Sequence, residues 1–193
     1  MENSTIAAVA TPNAPGGIGI VRISGSRAIE TAAAVFTPIG GSPLTECKGY
    51  HARFGTVHDG EERLDEAVCL VFRAPRSYTG EDVVEISCHG GIYITKRVLR
   101  AVLNAGAVPA EAGEFTKRAF LNGKIDLAGS ESVMALISAS GKQAASAALN
   151  TLEGRLSGEI RSCADKLTAV CASLAAWVDY PDDDIEEIGG GEM

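Results

Sequence analysis

The sequence lacks a CxxC pair, and its five cysteines, Cys47, Cys69, Cys88, Cys163 and Cys171, are too few and too scattered for a disulfide framework or a zinc ribbon. A reducing compartment fits that usage. No apolar stretch approaches the roughly 20 residues a membrane helix needs. The N-terminus lacks the basic-then-apolar order of a secretory signal, so a soluble, cytoplasmic protein without a membrane partner is expected. Basic excess is missing as well: the formal net charge is −8. Seven acids and no Lys or Arg lie from Asp179 onward, so the rest is close to neutral. A near-neutral body has no electrostatic footprint for nonspecific nucleic-acid binding, and any RNA contact needs more protein. Neither an internal repeat nor a low-complexity tract is present apart from the acidic tail.

What is there falls into two textures. "STIAAVATP" and Ile18–Ile23 read as strands around the Gly-rich "NAPGG", with Ser24 or Ser26 placed to cap a helix running to about Phe36. "YHARFGTVHDG" and "LDEAVCLVFRAP" read as a hairpin turning near Asp59-Gly60, and "DVVEISCHG" as a further strand. "GIYITKRVLRAVLNAG" predicts a helix with Ile94, Val98, Ala101 and Val102 on one face and Gly106 past its end. From "GEFTKRAFLNGKIDLAGSESV" onward alanine rises and strand signals vanish. The expected architecture is an α/β domain over 1–120 with a mixed sheet, an all-α segment over 121–181, and an acidic tail over 182–193. Leu152, Leu156, Ile160, Cys163, Leu167, Val170, Leu174 and Trp177 fall three and four apart, predicting one long helix that wants a partner.

Several motifs carry candidate chemistry. In "GGIGIVRISG" the glycines precede a strand and Arg22 stands where a dinucleotide loop needs its third glycine. Gly16 and Gly17 then read as a turn supplying positive φ. Arg22, inside an Ile-Val strand, calls for a carboxylate, from the protein or from a ligand. Glu85 shares a strand face with Val83 and Ser87, while Val84, Ile86 and Cys88 share the other. It either meets water or Arg22, or accepts paired N–H donors from a heterocycle such as a pterin. Lys117 and Arg118 sit among aromatics, an arrangement that could bind an anion but that more often forms a solvated helix face. Lys124 follows an Asn-Gly turn from which it can reach over a cleft. His51, His58 and His89 lack metal-ligand spacing, and His89 reads as a hydrogen-bonded residue at a strand-to-helix turn. "SASGKQ" lacks the first glycine and the hydroxyl of a phosphate loop, so no nucleotide-hydrolysing site is expected here.

"IAAVATPNAPGGIGIVRISG", "SYTGEDVVEISCHGG", "GEFTKRAFLNGKIDLAGSESV", "LEGRLSGEI" and "DYPDDDI" together resemble, in order, the N-terminal region of the MnmE (TrmE) family of bacterial tRNA modification GTPases. The departures, in "TPNAPGG", "AEAGEF" and "LAGSESV", touch loops and a helix start. The resemblance implies a folate-binding α/β domain similar to aminomethyltransferases, followed by the first part of a helical domain. It further implies homodimerisation and a 5-formyltetrahydrofolate or related tetrahydrofolate held by Arg22, Glu85 and Lys124. In the family GTP, Mg and K are bound by an inserted domain absent from this chain. A flavin-dependent partner protein then helps install an aminomethyl or carboxymethylaminomethyl group at C5 of the wobble uridine of tRNA. Two rival readings are a freestanding folate-dependent one-carbon transferase and a dimerisation scaffold with a vestigial pocket.

Overall fold

A computed structural model describes residues 4–179. The acidic tail and the predicted helix stop at Pro181 lie outside the described residues. The chain divides into two compact units, Met1–Lys124 and Ile125–Met193.

The first unit is built on a seven-stranded mixed sheet. Its strands are β1 (Ile6–Val9), β2 (Ile18–Ser24), β3 (Phe36–Pro38), β4 (His51–Asp59), β5 (Glu62–Phe72), β6 (Val83–His89) and β7 (Val108–Pro109). Their order across the sheet is β3-β4-β5-β6-β2-β1-β7. All neighbours are antiparallel except β1 and β7, which run parallel. The β4–β5 hairpin turns at Gly60, whose positive φ matches the predicted Asp-Gly turn.

Alternation along the strands decides which face is dry. Val21, Ile23, Val57, Cys69, Val71, Val84, Ile86 and Cys88 are buried in one cluster, and onto that face pack helices α1 (Ala28–Val35) and α2 (Ile92–Asn104). Because successive residues of a strand point to opposite sides, Arg22, Glu85 and Ser87 must project from the other face. That second face keeps Phe54 and Val68 exposed. α2 buries Thr95, Val98, Ala101 and Val102, a 3.6-period stripe, and passes into Gly106 in a left-handed conformation. A short helix, α3 (Glu114–Leu121), completes the unit.

The structure corrects three expectations here. α1 starts from Arg27 with no side-chain cap. Ser24 instead bonds Thr79 and Glu81, while the Arg27 N–H donates to the Thr5 hydroxyl. Gly16 and Gly17 do not take positive φ. The tight approach belongs to Gly90: its N–H reaches Gly17 O, its O accepts from Gly16 N, and a Cβ on it would meet the Ile18 N at 2.7 Å. The long C-terminal helix is there, but it starts three residues later than its apolar stripe: Leu152 ends a preceding helix, and the other seven stripe residues lie on the long one. α5 (Lys142–Leu152) ends at Glu153, Gly154 follows with φ +81°, and α6 (Arg155–Asp179) begins anew.

The second unit consists, among the described residues, of α4 (Leu127–Ile137), α5 and α6. α4 starts at Asp126, whose side chain accepts from the Gly129 N–H at 2.7 Å. No residue of α6 is buried, and Leu156, Ile160, Leu167, Leu174 and Trp177 remain on its surface. No helix among the described residues is long and apolar enough to cross a membrane.

Candidate functional site

Arg22 and Glu85 stand directly opposite each other where β2 pairs with β6. This is the shortest side-chain separation a sheet offers, and a cross-strand ion pair results. The Arg22 Nε donates to Glu85 Oε1 at 2.8 Å and Nη2 lies 2.7 Å from the same oxygen. Both contacts fall on Oε1. Among the described residues no donor reaches Glu85 Oε2, although the side chain is only 19% exposed. An ionised oxygen in that position retains its capacity for a ligand N–H.

Aromatic rings flank the pair. The Arg22 guanidinium carbon lies 5.6 Å from the ring centroid of Tyr78 and 5.6 Å from that of Phe115, within cation–π range. Tyr78 is fixed by its hydroxyl, 2.9 Å from the Thr116 hydroxyl on α3. Phe115 is one of the aromatics interleaved with the basic patch of the sequence, whereas Tyr78 was given no role there. Their signal was adjacency: Tyr78 opens the same "YTGEDVVEIS" run that carries Glu85, and Phe115 neighbours the basic patch.

Lys124 touches neither Arg22 nor Glu85. Its Nζ donates to Pro75 O at 3.1 Å, in the β5–β6 loop that also carries Tyr78. Asn122 bonds the same loop through Thr79 O at 2.7 Å. Gly80, with φ +80°, lets the loop pass close beneath them: an added Cβ would sit 3.1 Å from Asn122 Cβ and 3.3 Å from Lys124 Cγ. One loop therefore connects the acid–arginine pair, through Tyr78, with the lysine.

Beneath that loop the basic patch has a role the sequence did not suggest for Arg118. Its side chain is 10% exposed and bonds Glu81, Glu114, Ser4 O and the Ser4 hydroxyl. Burial works against ionisation of Glu114, but the Glu111 N–H and the Arg118 guanidinium outweigh it and hold the carboxyl below its ordinary value. Arg118 thus anchors α3 to the start of β6, where a solvated face was expected.

At the far end of β6, on the same face as Glu85, His89 Nδ1 lies 2.7 Å from Asp65 Oδ1 and the His89 N–H donates to Asp65 Oδ2 at 2.8 Å. Burial raises the Asp65 carboxyl, and the hydrogen bonds from His89 and from the Glu66 N–H more than reverse it, leaving its pKa lowered. His89 is the hydrogen-bonded turn residue expected. Cys88 and Cys69 point into the core, where burial pushes Cys69 up to about 12 and keeps it an inert thiol. No cluster of three metal-ligating side chains occurs among the described residues.

The sheet unit of this α/β domain thus presents a partly shielded acid–arginine pair on the sheet face opposite α1 and α2, flanked by Tyr78 and Phe115, with Lys124 tethered to the loop that carries Tyr78. The family model described as "GTP-binding protein TrmE N-terminus" matches residues 5–124, and that described as "MnmE helical domain" matches residues 127–193. Proteins named tRNA modification GTPase MnmE are similar along nearly the whole chain. The relative from Moorella thermoacetica is 49% identical over 191 residues, covering 98% of this chain and 40% of its own length. That from Symbiobacterium thermophilum is 47% identical over 187 residues, covering 96% and 41%. That from Clostridioides difficile is 45% identical over 186 residues, covering 96% and 40%. The chain belongs to the MnmE (TrmE) family, and it spans about 40% of the length of these relatives.

Proposed function

We propose that this chain is the N-terminal part of a tRNA-modifying GTPase and that its sheet unit binds a reduced folate, 5-formyltetrahydrofolate or a close relative, at Arg22, Glu85 and Lys124. The observation that carries the reading is the one-sided ion pair: both Arg22 donors converge on Oε1 and leave Oε2 open on a mostly shielded carboxylate. A pterin presents neighbouring N–H donors along one edge, the partner such an acceptor lacks. Tyr78 and Phe115 offer apolar surface for a flat ring. Arg22 and the remaining Lys124 donors suit carbonyl or carboxylate groups.

Bound there, the folate would supply a one-carbon unit. The residues of this chain bind and orient it, and no side chain among them is assigned as its acid or base. In the complete protein the carbon would go, with a flavin-dependent partner, to C5 of the wobble uridine as an aminomethyl or carboxymethylaminomethyl group. GTP hydrolysis would be supplied by a domain outside these residues, since "SASGKQ" has no phosphate loop. Homodimerisation is part of the same proposal. Exposed Tyr50, Phe54 and Val68 on β4, β5 and their approach give the sheet unit an apolar surface for a second copy. The cytoplasm is the proposed location.

Calorimetric titration of 5-formyltetrahydrofolate into the 193-residue chain tests the reading. Wild type should bind. Glu85→Ala should weaken binding about a hundredfold, as removal of a buried charged acceptor does. Lys124→Ala should weaken it less, because Lys124 is exposed. A wild type that takes no folate would leave a dimerisation scaffold, and the folate assignment would be lost.

A further inference from the structure

Between β1, the start of β2 and α2 the first unit holds a cavity of about 360 Å³, lined by none of Arg22, Glu85 and Lys124. It lies between the end of β1, the loop 11–14, the start of β2 and the helix α2, with Pro109 and Ala110 at its edge. That size is at the lower end of the range for small-molecule sites. Its walls are chiefly apolar: Ala8, Val9, Ile18, Ile92 and Leu99 contribute, and no acid lines it. Ile92, Thr95, Lys96 and Leu99 line it at intervals of three, one and three residues, so a single face of α2 forms one wall.

The one charge on that wall is Lys96, which is exposed and forms no ion pair among the described residues. It stands in the second turn of a helix that carries no acid in its first turn and no side-chain cap. The adjacent Arg97 is already engaged: it is bound to Glu62 and approaches Asp59. The Thr11 hydroxyl accepts from the Ile20 N–H, and the Thr95 hydroxyl donates to Gly91 O, so the polar groups at the rim are largely spent on the fold.

We propose that this cavity is a second ligand site, separate from the folate site, for a small molecule with a compact apolar body and one carboxylate. The body fills the space between β1 and α2, and the carboxylate meets Lys96 at the rim. Charge complementarity selects the anion, and the small walls, alanine and glycine on the strand side, limit the body to about two fused rings.

Two-dimensional NMR of the 193-residue chain, titrated with 2-naphthoate and with the uncharged 2-naphthalenemethanol, tests this. Naphthoate should shift the amides of Ala8, Gly19 and Thr95, and should bind about fivefold more tightly than the alcohol. Lys96→Met should abolish that preference while leaving the alcohol's affinity unchanged. Leu99→Phe, which narrows the cavity, should weaken both; if it misfolds, the Lys96→Met comparison stands alone, since Lys96 is on the surface. Saturating 5-formyltetrahydrofolate should leave these shifts in place whether or not it binds at Glu85. Equal affinity for acid and alcohol in wild type, displacement by folate, or shifts centred on Arg22 and Glu85 would each overturn the assignment.

Discussion

The two units of this chain bury their apolar residues to very different extents. In the sheet unit the alternating strands close against α1 and α2, and one continuous cluster from Ala7 to Ala107 is sealed from water. In the helical unit Gly129, Ser132 and Ala148 are buried, whereas α6 has no buried residue along its 25. The lesson is about period. A two-residue alternation needs one cover layer, and the intervening helices supply it within about 120 residues. A stripe spaced three and four apart along roughly 37 Å of helix needs other helices of similar length. The sheet unit holds its own partners, and the apolar stripe of α6 remains in water.

Mutations should break that contrast in graded fashion. The largest effect is expected from Ile86→Ala, which empties space at the centre of the sheet core and should cost about 2–5 kcal/mol. Urea unfolding followed by near-ultraviolet dichroism of the tyrosines would report it, because three of the four, Tyr50, Tyr78 and Tyr93, lie in the sheet unit. Trp177, the sole tryptophan, sits on α6 and should report the helical unit separately.

Next comes Arg118→Ala. It strands Glu81 and Glu114, and a cost of about 2–3 kcal/mol is expected, below that of a fully buried pair because Glu81 keeps some access to water. Arg118→Met, which restores packing but no charge, should recover little of it.

Asp65→Asn should cost about 1 kcal/mol through the weakened clip onto His89. The same carboxylate predicts a pH dependence. Its pKa is lowered on folding, so its stabilising contribution is complete above the ordinary value of 3.8 and is lost as pH falls below that value toward the depressed one. Acid titration of stability should therefore be shallower in the variant than in wild type over that window. The smallest effect is expected at Leu167→Ala on α6, below about 0.5 kcal/mol by the Trp177 signal, because the side chain is 61% exposed. A loss of several kcal/mol there would show that α6 is covered in solution, and sedimentation would then reveal the covering copy.

Legibility followed the same divide. The strands at Ile18–Ser24 and Val83–His89 and the helix Ile92–Asn104 were readable because their patterns repeat locally and are bounded by glycines. The short strands Phe36–Pro38 and Val108–Pro109 were not, since two or three residues hold no period and become strands only by pairing with β4 and β1. The break at Gly154 was hidden because the apolar spacing continues across it; only the backbone turn shows that Leu152 belongs to the preceding helix, while the other seven stripe residues share α6. In the site, Arg22 and Glu85 stood out as charges inside apolar strands, which burial makes costly without partners. Tyr78, Phe115 and the buried state of Arg118 did not, because nothing in their own segments distinguishes a surface ring or cation from one folded against a distant strand.

The sequence by itself determined the strand faces, the α2 stripe and the isolation of two charges in apolar surroundings, since each follows from periodicity within a few residues. Only the tertiary structure decided that Arg22 and Glu85 face each other in register, that one loop links Tyr78 with Lys124, and that Arg118 is sealed between two acids. Apart from the Arg118–Glu114 pair within α3, those contacts join residues 37 to 63 apart, and a distance through space between such segments is set by sheet order, which no local pattern encodes.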